Sequence, residues 1–368
     1  MIRFNDFKRQ WRDVSRDVLL ATEEVGESGF YILGEQVRAF EGNLAQYWKR
    51  RESVGVASGL DALEIALRVL GCGERDLVLT SPISAFATVL AIIKTGAVPV
   101  FADCDDYGLV DLNSCRDILK QQPTIRYFVP VHLYGHSLDL RGLRSLRDEF
   151  ELKIVEDCAQ SIGAAFDGAK TASVGDFAAT SFYPTKNLGA MGDGGAILTD
   201  SSEYATLARR LRDYGQTRKY WHELIGYNSR LDELQAAFLN RAFLPRLDAW
   251  IERRRNTAKR YLEEIRNPGI HVPGSPRESN SSWHLFPILV SPERKSEFMA
   301  YLRSMLIETA EHYPSPLHKQ PALSNLSLEH ESLTNAERFC RGEVSLPIHP
   351  YLTEEEISGV IQAANAWN

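Results

Sequence analysis

The sequence predicts an α/β fold: a large domain on a mixed, mostly parallel sheet, followed by a smaller α+β C-terminal domain. Two observations predict it. Between residues 54 and 200, short apolar runs alternate with helix-length amphipathic segments, which is the spacing of βαβ units. Beyond residue 245 the pattern changes to a long helical stretch, a break and a set of short mixed elements. We divide the chain at 1–245, N-terminal helices and the large domain, and 246–368, a connecting helix and the small domain.

Taken in order, segments 10–24 and 36–47 carry helical periodicity and flank Gly29 to Gly34. Candidate strands follow at 54–57, 77–80, 99–102, 127–131, 154–156, 178–182 and 196–199. Helical segments at 60–70, 85–95 and 138–150 lie between them. A helical pattern then runs from Leu231 to Arg266, where Asn267-Pro268-Gly269 stops it. Later come a strand at 284–290, a helix at 293–305, a Pro-rich loop at 314–321, and helices at 332–341 and 353–366. In such sheets ligands bind at the carboxyl ends of strands. Polar residues that follow strands are therefore the first candidates for chemistry.

Composition narrows the function classes. The chain has 368 residues, 44% hydrophobic and 25% charged, with a net charge of −7. An acidic balance argues against a general nucleic-acid binder. No apolar stretch approaches the roughly 20 residues of a membrane helix, and the charged start shows no signal peptide. The five cysteines are scattered and odd in number, which disfavours a disulfide framework and fits a cytoplasmic protein.

Three segments could carry chemistry. In Val56-Ala57-Ser58-Gly59-Leu60 a strand ends and a helix begins. Backbone N–H groups at a helix start bind phosphate, and glycine permits close approach; Ser58 would serve equally as an ordinary cap. In Ile154-Val155-Glu156-Asp157-Cys158-Ala159-Gln160 an apolar strand runs into two carboxylates, placed for a ligand or simply solvated. In Ser181-Phe182-Tyr183-Pro184-Thr185-Lys186, with Gly189 and Gly192-Asp193-Gly194-Gly195 beyond, a lysine follows a strand in a glycine-rich surround. A partly desolvated lysine has a lowered pKa and can form a Schiff base; alone, Lys186 reads as a surface lysine. Together the segments supply the phosphate cradle, post-strand acid and lysine that a pyridoxal 5'-phosphate site requires.

Other cofactors fit poorly. The chain has no P-loop, and Gly71-Cys72-Gly73 lacks the strand and third glycine of a dinucleotide fingerprint. His132 and His136 are four apart, but Tyr134-Gly135 between them argues against a shared helical face, so no metal site is assigned.

The three segments together resemble the sugar aminotransferases of the DegT/DnrJ/EryC/StrS family, fold-type-I pyridoxal phosphate enzymes. The likeness extends to Gly29-Phe30-Tyr31-Ile32-Leu33-Gly34, to Asn228-Ser229-Arg230-Leu231-Asp232-Glu233-Leu234-Gln235, to His312-Tyr313-Pro314, and to Ser345-Leu346-Pro347. It implies that Lys186 holds the cofactor covalently and carries protons. It implies that Asp157 pairs with the pyridine nitrogen, that Gln160 bonds the ring hydroxyl, and that Ser181 with the backbone of Gly59 and Leu60 holds the phosphate. Asn228 would reach the phosphate in a partner subunit, making a homodimer with shared sites. Tyr183, His312 and Tyr313 would wall the sugar site, with Lys219 and Tyr220 from the partner.

The chain departs from the family pattern in two places. Leu60 stands where the family usually has Thr. Ala85 stands where an aromatic ring would stack on the cofactor, with Phe86 one residue later; either the loop shifts and Phe86 stacks, or the platform is thinner. The related dehydratases carry His in place of the lysine, so Lys186 favours transamination with glutamate as amino donor. Tyr183-Pro184-Thr185-Lys186-Asn187 and the run after Asn228 look most like enzymes acting on a nucleotide-linked 3-keto-(6-deoxy)sugar. A 4-keto substrate and a non-catalytic sugar-nucleotide-binding homologue are the alternatives.

Overall fold

A computed structural model describes residues 1–326 and 332–368. Helix α1 (Phe7–Ser28) is capped by Asp6, whose carboxylate accepts from Arg9 N, and ends where Gly29 turns left-handed at φ +67°. Helix α2 (Glu35–Trp48) follows. The central sheet then begins with β1 (Glu52–Val56), helix α3 (Gly59–Val69), β2 (Leu77–Thr80), helix α4 (Phe86–Lys94) and β3 (Val98–Phe101). Helix α5 (Leu112–Gln121), β4 (Tyr127–Val129), helix α6 (Leu140–Phe150) and β5 (Lys153–Asp157) continue it. Two short strands, β6 (Ala165–Phe166) and β7 (Ala169–Lys170), precede β8 (Phe177–Ser181) and β9 (Gly195–Thr199).

The sheet has seven strands in the order β1-β9-β8-β5-β4-β2-β3. Strand β9 runs antiparallel to both neighbours, and every other pairing is parallel. All seven lie within a few residues of their sequence-predicted positions. The residues alternate between two faces, as a pleated strand requires. Val155 and Ile197 pack with Leu63, Ala66 and Leu67 of α3. Their chain neighbours turn elsewhere: Ile154 packs with Leu143 and Leu146 of α6, and Leu198 with Phe40 and Leu44 of α2. Burial on both faces explains why these strands read as continuous apolar runs.

The structure corrects the single helix expected over 231–266. After helix α7 (Ser202–Arg212) and the hairpin of β10 (Gln216–Arg218) and β11 (Trp221–His222), helix α8 spans only Glu233–Phe238. A π turn at Leu239–Phe243 and a 3-10 turn at Leu244–Arg246 separate it from helix α9 (Leu247–Glu264). Pro245 lacks the N–H that would continue the α ladder. Hydrophobic periodicity survives the interruption, so pattern alone merges the pieces.

The C-terminal part holds an antiparallel sheet of β12 (Ile270–His271), β14 (Phe286–Val290) and β15 (Glu343–Leu346), ordered β12-β14-β15. Between the first two, β13 (Ser279–Asn280) adds to β6. Helices α10 (Lys295–Ser304), α11 (Thr334–Gly342) and α12 (Glu354–Ala366) complete it. The Thr353 hydroxyl and Glu356 carboxylate form a reciprocal capping box on α12. Among the described residues no helix is long and apolar enough to cross a membrane.

Candidate active site

The carboxyl ends of β1, β5 and β8 converge on one place. At the end of β1, Ser58 caps α3 by accepting from Asp61 N at 3.1 Å. That leaves the first N–H groups of the helix, at Gly59 and Leu60, with no carbonyl one turn back. A Cβ on Gly59 would stand 2.7 Å from Ser181 Cβ, and one on Gly195 would stand 2.6 Å from Gly59 N. The helix start can therefore press against the ends of β8 and β9 only because both positions are glycine.

The two acids at the end of β5 point to opposite faces. Each Glu156 oxygen accepts two hydrogen bonds: Val174 N and Gly175 N on Oε1, Ala172 N and His132 Nε2 on Oε2. His132 Nδ1 accepts from Leu138 N, so Nε2 carries the proton given to Glu156. Glu156, His132 and Cys158 bring ligand-type atoms within 4.8 Å of one another, but the carboxylate is already saturated. Asp157 differs. Thr88 Oγ1 donates to its Oδ2 at 2.8 Å and Ala159 N to its Oδ1 at 3.1 Å, leaving each oxygen able to accept again. Ser84 Oγ lies 2.7 Å from Thr88 Oγ1 and holds that hydroxyl. Burial pushes the Asp157 carboxyl above its ordinary range, partly offset by these donors and by Lys186.

Lys186 sits in a tight turn in which its N–H donates to Tyr183 O at 2.8 Å. Gly189 closes that turn, since a Cβ there would lie 2.3 Å from Pro184 O. The lysine is half-buried. Burial lowers its amine to about 8, with Asp157 pulling in the opposite direction. Its Nζ makes no hydrogen bond among the described residues.

Gln160 is fixed at both ends of its amide. Its Oε1 accepts from Tyr134 N at 2.7 Å and its Nε2 donates to the Tyr313 hydroxyl at 3.1 Å. Tyr134 in turn donates to His312 O. His312 Nδ1 lies 3.0 Å from Ser345 Oγ, which donates to Glu343. Tyr183 is exposed beside the lysine. Phe86 is partly buried against the core that contains Leu79 and Phe128, while Ala85 precedes the helix.

Asn228 is exposed. Its neighbour Ser229 accepts from Ala57 N at 3.1 Å and donates to Asp61 at 2.7 Å, which places the segment against the start of α3. Lys219 and Tyr220 occupy the exposed tip of the β10–β11 hairpin, with the ammonium 5.2 Å from the Tyr220 ring. Within one chain no described contact joins that tip to Lys186.

Sequence reading missed the partners that hold the acid: Ser84 and Thr88. The signal was a buried threonine in the otherwise apolar Phe86–Lys94 helix. It also missed Tyr134, a tyrosine at φ +61° buried under Gln160.

A convergent helix start, a buried acid with open acceptor sites and a lysine of lowered pKa, on a mostly parallel sheet, define an aminotransferase-type pyridoxal phosphate enzyme. The chain belongs to the DegT/DnrJ/EryC1/StrS aminotransferase family, whose match covers residues 13–365. It is 41% identical over 368 residues to a dTDP-3-amino-3,4,6-trideoxy-alpha-D-glucose transaminase of Streptomyces venezuelae, covering 100% of this chain and 96% of the relative. It is 40% identical to a dTDP-3-amino-3,6-dideoxy-alpha-D-galactopyranose transaminase of Aneurinibacillus thermoaerophilus, covering 100% and 99%. The crystal structure of S. venezuelae DesV with a ketimine intermediate superposes with a TM-score of 0.94 at 40% identity, covering 100% of this chain and 98% of that one. The fold is fold type I, the protein is an enzyme, and its cofactor is pyridoxal phosphate.

Proposed function

We propose that the enzyme transfers an amino group from glutamate to the keto carbon of a nucleotide-linked 3-keto-(6-deoxy)sugar, giving a nucleotide-linked 3-amino sugar. The reading rests on one observation above others: Asp157, with open acceptor sites, and the unpartnered amine of Lys186 face one cradle. The relatives' names support the 3-keto position. The intact lysine and acid favour turnover over a binding-only role.

Bound pyridoxal phosphate supplies an electron sink that stabilises negative charge on the carbon losing its proton. The chain's own residues do the rest. Lys186 is the covalent attachment point and carries protons, because an amine near 8 exchanges them readily at neutral pH. Asp157 holds a proton on the ring nitrogen, and Thr88 with Ala159 N fixes its plane. Gln160 keeps one amide hydrogen for the ring hydroxyl while Tyr134 and Tyr313 hold the amide still. Gly59, Leu60 and Ser181 grip the phosphate. With Phe86 partly buried against the core, Ala85 would be the residue nearer the ring, and the platform would be thin.

A homodimer with shared sites accounts for the remaining residues. Large apolar side chains are exposed at Phe30, Tyr31, Met191, Tyr220, Trp221 and Ile225, and such surfaces mark interfaces. Asn228, Lys219 and Tyr220 would enter the partner's site. Tyr183, His312 and Tyr313 would contact the sugar. Five free, buried cysteines fit a cytoplasmic enzyme.

The test is a panel of nucleotide-linked 3-keto and 4-keto sugars given to the holoenzyme with glutamate. Amination at carbon 3 is expected. Amination only at carbon 4, or no bleaching of the cofactor by glutamate, overturns the reading.

A further inference from the structure

Strand β15 carries a buried acid that no cation answers. Glu343 and Ser345 stand two residues apart on it, so their side chains leave the same face, and both are fully buried. Ser345 bridges Ala310 in antiparallel fashion, through backbone hydrogen bonds of 2.8 and 3.3 Å. That register sets His312 opposite Glu343. Glu343 Oε2 accepts from His312 N at 2.6 Å, and Oε1 accepts from Ser345 Oγ at 2.5 Å. Tyr134 holds the other side of the same residue by donating to His312 O. Lys295 pairs with Glu311 instead, and no Lys or Arg pairs with Glu343 among the described residues. A carboxyl buried without an ion pair weakens a fold, so its place calls for another reason.

Hydrogen counting supplies one. Ser345 has a single hydroxyl hydrogen and gives it to Glu343, so it can only accept from His312 Nδ1, 3.0 Å away. Nδ1 therefore carries the ring proton. The ring is neutral, because burial and the charge of Lys186 lower its pKa to about 4. Its lone pair is then on Nε2. That nitrogen makes no hydrogen bond among the described residues, yet it is not sealed in as the orphaned Nε2 atoms of His136 and His349 are. The ring stacks on Phe4, with centroids 5.6 Å apart, and lines a cavity of about 160 Å³ together with Thr185 and His284.

We propose that Glu343 and Ser345 are positioning residues, which hold His312 as a hydrogen-bond acceptor for a hydroxyl of the sugar. A lone pair takes an O–H and rejects the keto oxygen, which can itself only accept. The relay thereby turns a hydroxyl toward His312 and leaves the carbonyl for the reacting amine. This assignment rests on the reading of the protein as a keto-sugar aminotransferase with His312 in the sugar wall.

The experiment reads the ring directly, by nitrogen NMR of the holoenzyme labelled with 15N-histidine, at pH 8.5. Glu343 is ionised there: burial raises its carboxyl only to about 7, with Lys295 opposing and Glu311 adding, while Tyr134, Tyr313 and Cys340 also face it. The His312 signals are those lost in His312→Gln. A proton on Nδ1 and a bare Nε2 are expected. Glu343→Gln must turn its amide oxygen to His312 N and its NH2 to Ser345 Oγ. Ser345 then donates to Nδ1, and the ring proton should move to Nε2. Ser345→Ala breaks the relay; its KM for the keto-sugar nucleotide should rise about fivefold, while bleaching of the cofactor by glutamate keeps its rate. A parent ring protonated on Nε2 overturns the proposal, as does a proton that stays on Nδ1 in Glu343→Gln. An unchanged KM in Ser345→Ala, or both half-reactions slowing together, overturns it too; if Glu343→Gln fails to fold, Ser345→Ala decides. The NMR reading needs no sugar, and the KM is taken with whichever keto-sugar nucleotide the enzyme aminates, so an error in the keto position remains distinguishable.

Discussion

Thr88 Oγ1 donates a 2.8 Å hydrogen bond to Asp157 Oδ2. That contact separates Asp157 from Glu156, the acid beside it in the chain, whose oxygens are spent on His132 and three backbone N–H groups. The two acids should therefore fail differently. Asp157→Asn should keep the fold and the cofactor yet lower turnover at least about 100-fold, the scale of losing one electrostatic stabiliser. Glu156→Gln should instead lower stability by about 3 kcal/mol, as expected for breaking a buried charged network. Urea unfolding and steady-state rates on both variants check the contrast; the reverse pattern would exchange their roles.

Lys186 carries the prediction for pH. Its amine lies near 8 because burial disfavours the ammonium. Only the neutral amine is a nucleophile. Capture of added pyridoxal phosphate by the apoprotein should therefore accelerate as pH rises toward 8 and flatten above it. Stopped-flow absorbance between pH 6.5 and 9.5 follows this. An acceleration that continues without flattening to pH 9.5 would indicate an ordinary exposed lysine. Lys186→Ala should fold, bind cofactor without covalent trapping, and lose nearly all turnover.

Gly59 tests the phosphate cradle. A methyl group there meets Ser181 Cβ at 2.7 Å, so Gly59→Ala must move the helix start or the end of β8. Cofactor affinity should fall about tenfold or more, read by equilibrium dialysis. Retention of full affinity would place the phosphate elsewhere.

Glu343 is fully buried, and burial raises its carboxyl to about 7, with Ser345 and His312 N opposing. An acid whose folded pKa is raised holds its proton longer in the native state than in the unfolded chain. Its contribution to stability thus falls as pH rises from about 4.5 to 7, by up to about 3 kcal/mol. Glu343→Gln cannot ionise. Its stability relative to the parent should improve between pH 5 and pH 8 in urea melts. A difference independent of pH would show that Glu343 titrates normally.

The shared-site reading predicts complementation. Mixing Lys186→Ala with Asn228→Ala subunits should restore part of the activity, because one site of each mixed dimer escapes both lesions. Absence of recovery after verified subunit exchange would return Asn228 to its own chain.

The sequence by itself determined the seven strands of the central sheet, since burial on both faces writes continuous apolar runs flanked by turns. It also determined which three segments meet, because parallel sheets collect strand ends on one edge. Tertiary structure alone decided the rest. Adjacent acids are equivalent in one dimension; the pleat sends Glu156 to His132 and Asp157 to Thr88, 69 residues away in the chain. The π and 3-10 turns around Pro245 preserve apolar periodicity, so only backbone geometry reveals the break. Gln160 and Tyr313 lie 153 positions apart, and their hydrogen bond becomes visible only in the folded chain, because hydrogen-bond satisfaction is a property of packing.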